Sequence, residues 1–182
     1  MDPVILKLKH GLIVSCQARE GNPLRGARFM AAFARAAELG GAVGIRANGA
    51  ADIRAIRKIT SLPILGINKW RQAHWPVYIT PNLQAARSVR QAGADIIAID
   101  ATHRPRRGGL SPEELIALLH RELGCPVMAD IDSLEEGLAA ARAGAGAGSL
   151  GASDPGRTGR DAGSANAALA GDRNRPAAAR RR

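Results

Sequence analysis

The sequence predicts an α/β fold of successive β/α units around a parallel sheet. Five short apolar runs, each closed by polar residues, carry that prediction: Leu12-Ile-Val-Ser-Cys-Gln17, Ala42-Val-Gly-Ile-Arg46, Pro63-Ile-Leu-Gly-Ile-Asn-Lys69, Asp95-Ile-Ile-Ala-Ile-Asp100 and Pro126-Val-Met-Ala-Asp130. Segments rich in helix formers separate them, and strands alternating with helices imply βαβ units. Apolar residues follow one another within each run, as expected of strands covered on both faces. Polar residues gathered at the C-terminal ends of parallel strands point to a (β/α)8 TIM barrel, whose chemistry sits at that rim. The 182 residues fall short of the roughly 250 such a barrel typically takes. About the first five β/α units are expected.

Each element has its own signal. Residues 2–10 form a short amphipathic lead-in, and the first strand is expected at 12–16. Residues 27–39 are helix formers ended by Gly40-Gly41. A strand at 42–46 precedes a helix at 50–59 that begins behind Asn48-Gly49. The third strand follows Pro63, and residues 75–80 are either a short extra strand or the loop into a helix at 82–92. After the strand at 95–100, Ser111, Pro112 and Glu114 supply an N-cap, an N1 proline and a capping box. The fifth strand is expected at 126–131, and Ser133 with Glu136 opens the next helix in the same way.

Near Gly144 the pattern stops. From 151 to 182 Leu169 is the only large aliphatic residue, and there is no aromatic. Such a segment cannot bury enough apolar surface to offset its ordering entropy. The expected organisation is a partial barrel over 1–145 and a disordered Gly/Ala/Arg-rich tail over 146–182. The abrupt change is what a shift of reading frame near Gly144–Gly146 would produce.

Composition limits the function classes. Hydrophobic residues make up 46% and aromatics 3%, so the core must be aliphatic. Cys16 and Cys125 fit no zinc or CxxC spacing and read as buried thiols in a reducing cytoplasm. No apolar run approaches the ~18 residues of a membrane span, and no signal peptide is recognisable. The expected location is therefore cytoplasmic, with no membrane partner. The net charge is +10, and seven arginines against three aspartates beyond residue 143 hold part of it. A basic tail favours weak, salt-sensitive contact with anions. Without stacking aromatics or a binding motif, no specific nucleic-acid partner is expected.

The candidate chemistry lies at the strand ends. Lys69, partly desolvated there, suits a base or a Schiff-base former, or else snorkels to solvent. Asp100 and Asp130 suit orientation of hydroxyls or proton transfer, or else cap the following loops. Arg46 and Gln17 share the rim, where a guanidinium suits a phosphate or carboxylate. Arg104 and Arg106 form a second basic cluster after the fourth strand, and His103 lies on the same rim. Gly146-Ala-Gly-Ser-Leu-Gly151 matches GxGxxG but follows a helix, so it does not indicate a dinucleotide. The four histidines have no metal spacing. No cofactor and no metal are expected.

Taken together, Gly11-Leu-Ile-Val-Ser-Cys-Gln-Ala18, Gly44-Ile-Arg-Ala-Asn-Gly49, Pro63-Ile-Leu-Gly-Ile-Asn-Lys69, Val77-Tyr-Ile-Thr80, Ala98-Ile-Asp-Ala-Thr102 with Arg104, and Met128-Ala-Asp-Ile131 resemble the N-acetylmannosamine-6-phosphate 2-epimerase family. The resemblance covers about residues 5–145. It implies a barrel without metal or nucleotide that converts N-acetylmannosamine 6-phosphate to N-acetylglucosamine 6-phosphate in sialic acid catabolism. It further implies that Lys69 removes and returns the C2 proton and that Asp130, grouped with it as catalytic, holds the sugar together with Arg46 and Gln17. Asp100, Thr102 and Arg104 would bind substrate and shape the site. The family's later strands, a second catalytic glutamate and its glycine-rich phosphate loops have no recognisable counterpart after residue 145. The alternative expectation is an inactive barrel remnant that oligomerises or binds through its basic tail.

Overall fold

The computed structural model describes residues 2–71 and 73–150. Six parallel strands form one sheet in the order β1-β2-β3-β4-β5-β6. They are β1 (Ile13–Cys16), β2 (Gly44–Asn48), β3 (Ile64–Ile67), β4 (Ile96–Asp100), β5 (Val127–Ile131) and β6 (Ala147–Leu150). Spatial order equal to chain order is the winding of a barrel. A doubly wound sheet reverses its order at a switch point. The helices are α1 (Pro3–Leu6), α2 (Ala27–Leu39), α3 (Ala50–Arg57), α4 (Leu83–Gln91), α5 (Pro112–Leu123) and α6 (Leu134–Arg142).

The strands form because their side chains are wanted on both faces. Ile45, Ile64, Ile97, Ile99, Val127 and Ala129 face the helices and join Ile53, Ile56, Leu115, Ile116 and Leu119 in the main core. The alternate residues Leu65, Ile67, Ile96, Ala98 and Met128 meet on the other face, with Ile5 of α1 and Ile79 of the β3–α4 loop. β-branched residues suit such doubly covered strands. Each fully buried isoleucine contributes about 1.5–3 kcal/mol relative to exposure.

The expected helix signals appear in the structure. Ser111 and Ser133 each form the full capping box, with Glu114 and Glu136. Gly124 ends α5 in the left-handed conformation at φ 55°. Strand boundaries agree with the sequence reading to within two residues, and the shift that matters is in β2. It continues to Asn48, so Arg46 lies mid-strand rather than at the strand end.

The structure also carries the β/α pattern one strand beyond the five units read from the sequence. β6 pairs with β5 over Met128–Ile131, against Ala147–Leu150. Ala147, Gly148 and Ser149 have little strand propensity, so the ladder with β5 makes this strand. The GxGxxG match falls largely within it. Residues 151–182, assigned to the tail, lie outside the described residues.

The end helices of the arc carry exposed apolar pairs at i, i+4 spacing. Phe29 and Phe33 on α2 are 41% and 42% exposed, and Leu134 and Leu138 on α6 are 74% and 48% exposed.

Packing between sheet and helices is closest at Gly66. A Cβ there would lie 2.5 Å from the Ala94 Cβ and 3.3 Å from the Val89 Cβ. Gly66→Ala should therefore destabilise the fold by about 1–3 kcal/mol. The check is a lower urea midpoint with an unchanged m-value.

Candidate active site

Alternation along the parallel strands delivers polar side chains to the concave face. Inward positions are those of Leu65 and Ile67 on β3 and Met128 on β5. By the same two-residue period, Arg46 and Asn48 on β2, Asp100 on β4, Asp130 on β5 and Ser149 on β6 point inward. Gln17 and Lys69 continue the series just past β1 and β3.

A side-chain ion pair crosses this face. Arg46 Nη2 donates to Asp130 Oδ2, with Asp130 almost fully buried. β2 and β5 are three steps apart in the sheet. At about 4.8 Å per step a flat sheet would separate them by roughly 14 Å, so the pair requires a curled sheet. Burial raises the Asp130 pKa most strongly and the neighbouring Asp100 adds to it, while Arg46 and Lys69 oppose. Gln17 Oε1, Arg46 Nε and Asp130 Oδ1 are buried with no hydrogen-bond partner among the described residues. Gln17 Nε2 donates to Ser15 Oγ at 2.6 Å.

Lys69 stands at the mouth of this face. It keeps exposed area because the rim opens to solvent. Even so, the protein around its ammonium holds its pKa below the usual lysine range, with Arg46, Arg71 and Arg19 adding to the depression and Asp130 opposing it. A lysine so placed has an enlarged neutral fraction and is fitted to accept a proton.

The β4 end is a braced turn. Asp100 Oδ1 accepts from Thr102 N at 3.0 Å and from Thr102 Oγ1 at 2.7 Å. Arg106, 4% exposed, donates to the carbonyl oxygens of Asp100 and Thr102, each at 2.9 Å. The Arg106 guanidinium is thus a buried strut for the backbone, turned to the carbonyls rather than joined with Arg104 in the basic cluster expected after the fourth strand. Arg104 reaches across to Asp132 on the β5–α6 loop. His103 turns its ring toward Glu113, at 3.4 Å. Among the described residues, no three His, Cys, Asp or Glu side chains gather as a metal site. No helix there is long and apolar enough to cross a membrane. Cys16 and Cys125 are both buried free thiols, pushed up in pKa by that burial.

A family model described as "Putative N-acetylmannosamine-6-phosphate epimerase" matches residues 30–166. The chain belongs to this epimerase family. Two curated relatives carry the name "Putative N-acetylmannosamine-6-phosphate 2-epimerase". That of Cutibacterium acnes is 48% identical over 144 residues, covering 79% of this chain and 62% of the relative. That of Caldanaerobacter subterraneus subsp. tengcongensis is 49% identical over 142 residues, covering 78% and 60%. Among solved structures, the N-acetylmannosamine-6-phosphate 2-epimerase from Clostridium perfringens superposes with a TM-score of 0.76 at 37% identity, covering 81% of this chain and 64% of that one. The chain thus spans 60–62% of the length of these two curated relatives. The family match also runs past residue 145, where the sequence reading ended the barrel.

The folded chain brings Arg46 and Asp130 together and sets Lys69 near both. Gln17 stands at the β1 edge, and Asp100 and Thr102 spend polar atoms on each other. The sequence reading missed two residues beside Lys69. Asn48 Oδ1 accepts from Lys69 N at 2.9 Å, and Thr80 Oγ1 accepts from Asn68 N at 3.1 Å. Ending the second strand at Arg46 hid Asn48. Its neighbour Gly49 was read with it only as a helix start.

Crowding the Lys69 ammonium costs stability while it is charged. Its folded pKa is depressed, so the cost is full below that pKa and vanishes as pH rises past the ordinary value of 10.5. Lys69→Met should therefore raise Tm at pH 7. Melting curves across pH should show the difference shrinking as pH climbs through the depressed pKa toward 10.5.

Proposed function

We propose that this chain carries the proton-transfer site of a C2 epimerisation, converting N-acetylmannosamine 6-phosphate to N-acetylglucosamine 6-phosphate in amino-sugar catabolism. The observation that carries the reading is Lys69: a lysine with a depressed pKa at the rim of the concave face, beside the Arg46–Asp130 pair. Family membership supplies the substrate class.

The chemistry follows from the open-chain sugar. Its C1 carbonyl acidifies the C2–H bond. Neutral Lys69 takes the C2 proton, the C–H electron pair enters the C1–C2 bond, and the carbonyl pair moves onto O1. The enolate is then stabilised by the Lys69 ammonium and the Arg46 guanidinium. For one base to invert C2, the planar intermediate turns about its C2–C3 bond before Lys69 returns the proton to the other face. Asp130 holds Arg46 and orients a sugar hydroxyl through Oδ1, while Gln17 Oε1 offers a second acceptor. Arg19, Arg46, Lys69 and Arg71 give the mouth a positive field that draws a phosphorylated sugar. Asp100, Thr102 and Arg104 shape the wall. The path needs no cofactor.

Proton NMR of N-acetylmannosamine 6-phosphate in D2O tests this directly. Deuterium should enter C2 as N-acetylglucosamine 6-phosphate appears, faster as pH rises through the Lys69 pKa. Lys69→Ala should slow exchange by at least about 100-fold. Exchange unaffected by that substitution would remove Lys69 from the role.

A second reading, an oligomerising partial barrel without catalysis, is favoured by the exposed pairs Phe29/Phe33 and Leu134/Leu138. It predicts a sedimentation coefficient that rises with protein concentration and ceases to do so in a Phe29→Ser, Phe33→Ser double variant. A concentration-independent monomer overturns it.

A further inference from the structure

We propose that Asn48 and Thr80 are positioning residues that clamp the backbone on either side of the Asn68–Lys69 peptide and so fix where the Lys69 side chain stands. The proposal rests on the reading of Lys69 as the base.

The need for a clamp arises from the sheet itself. β3 ends at Ile67, two residues before Lys69. On one side the β2–β3 register runs out at Asn48 opposite Ile67. On the other, β3 pairs with β4 only through Leu65 and Gly66. Lys69 therefore stands beyond both strand ladders, where a chain would ordinarily fray into loop.

Two side chains and a returning segment replace the missing ladders. Asn48 Oδ1 accepts the Lys69 amide at 2.9 Å on the β2 side. On the other side the chain folds back, and Lys69 pairs antiparallel with Ile79. Trp70 N donates to Tyr78 O at 2.8 Å, and Thr80 N donates to Asn68 O at 2.9 Å. Thr80 Oγ1 closes the same junction by accepting from Asn68 N at 3.1 Å. Arg71 lies over the Tyr78 ring, 4.1 Å from its centroid. Ile79 anchors the returning segment in the inner core, and its carbonyl accepts from Asp100 N at 3.0 Å. The segment thus takes the place beside β4 that β3 gives up.

Both clamping residues bear marks of a specific task. Asn48 precedes the N-cap of α3, and its carboxamide oxygen goes to Lys69. Thr80 is fully buried and holds φ at 45°, a backbone region that β-branched residues rarely adopt. Backbone strain of this kind persists where the surroundings over-determine it, typically at functional sites. The groups that set the charge around Lys69 are Arg19, Arg46, Arg71 and Asp130. Asn48 and Thr80 add no charge, so their influence on the lysine must pass through its position.

The experiment uses the full chain, labelled for NMR, and reads amide exchange at Asn68 and Lys69 and the titration of the Lys69 side chain. In Asn48→Ala the Lys69 amide should exchange about tenfold faster, as expected for one lost hydrogen bond. The Lys69 titration midpoint should move up toward that of an ordinary lysine, while core amides such as Ile97 keep their protection. Asn48→Asp, which still accepts from the amide, should restore the slow exchange. Thr80→Val, which keeps the shape and loses the hydroxyl, should speed exchange at Asn68 and supplies the test if Asn48→Ala does not fold. Unchanged exchange and an unchanged Lys69 titration in a folded Asn48→Ala or Thr80→Val variant overturn the clamp. These readouts do not require turnover. Absence of C2 exchange in the unsubstituted chain would overturn the role of Lys69 as base and leave the clamp to stand or fall on the amides.

Discussion

Arg46 and Asp130 sit on strands separated by two others, and their side chains meet across the concave face. That contact exists only because the sheet curls. The curl follows from right-handed strand twist combined with helices packed along one face. The pair sets the electrostatics of the site. Burial raises the Asp130 pKa and Arg46 opposes that rise, while the same guanidinium stands beside Lys69. Breaking such a pair leaves an uncompensated buried charge, at a cost of about 3–5 kcal/mol. The curl of the sheet is therefore what brings these two side chains together across the concave face.

Apolar and polar inward positions divide along the strands. The N-terminal halves place Leu65, Ile96 and Met128 inward, sealed by Ile5 from α1. The C-terminal halves place Asn48, Asp100 and Asp130 inward, with Arg46 at the middle of β2. The core is thus continuous below the site and polar at it. Lys69 is costly in this setting, since crowding and three arginines oppose its charge. The same terms that destabilise the charged form depress the Lys69 pKa and enlarge its neutral fraction.

The loops are less independent than a strand-and-helix outline suggests. Glu136 caps α6 and also accepts from His103 N, tying the turn after β4 to the turn after β5. Arg104 makes a second link by pairing with Asp132. Arg106 braces the turn from beneath. These contacts fix the wall of the site without entering it, and they account for a dense set of charged residues in which few aim at the concave face.

Much of this was legible in the amino-acid sequence because its signals are local. The apolar runs fixed the parallel strands, Ser111 and Ser133 announced their helices, and polar residues at strand ends named Gln17, Arg46, Lys69, Asp100 and Asp130 as rim candidates. Pairings over long separations left no local trace. Nothing near Asn48 says that its carboxamide will accept from Lys69, 21 residues later. Nor does Ala147-Gly-Ser-Leu150 announce a strand, since its ladder with β5 supplies what its propensity lacks. The sequence by itself determined the alternation of β/α units and which side chains could do chemistry. Only the tertiary structure decided which of them meet, because the curl of the sheet and the fold-back after Lys69 are set by packing between segments far apart in the chain.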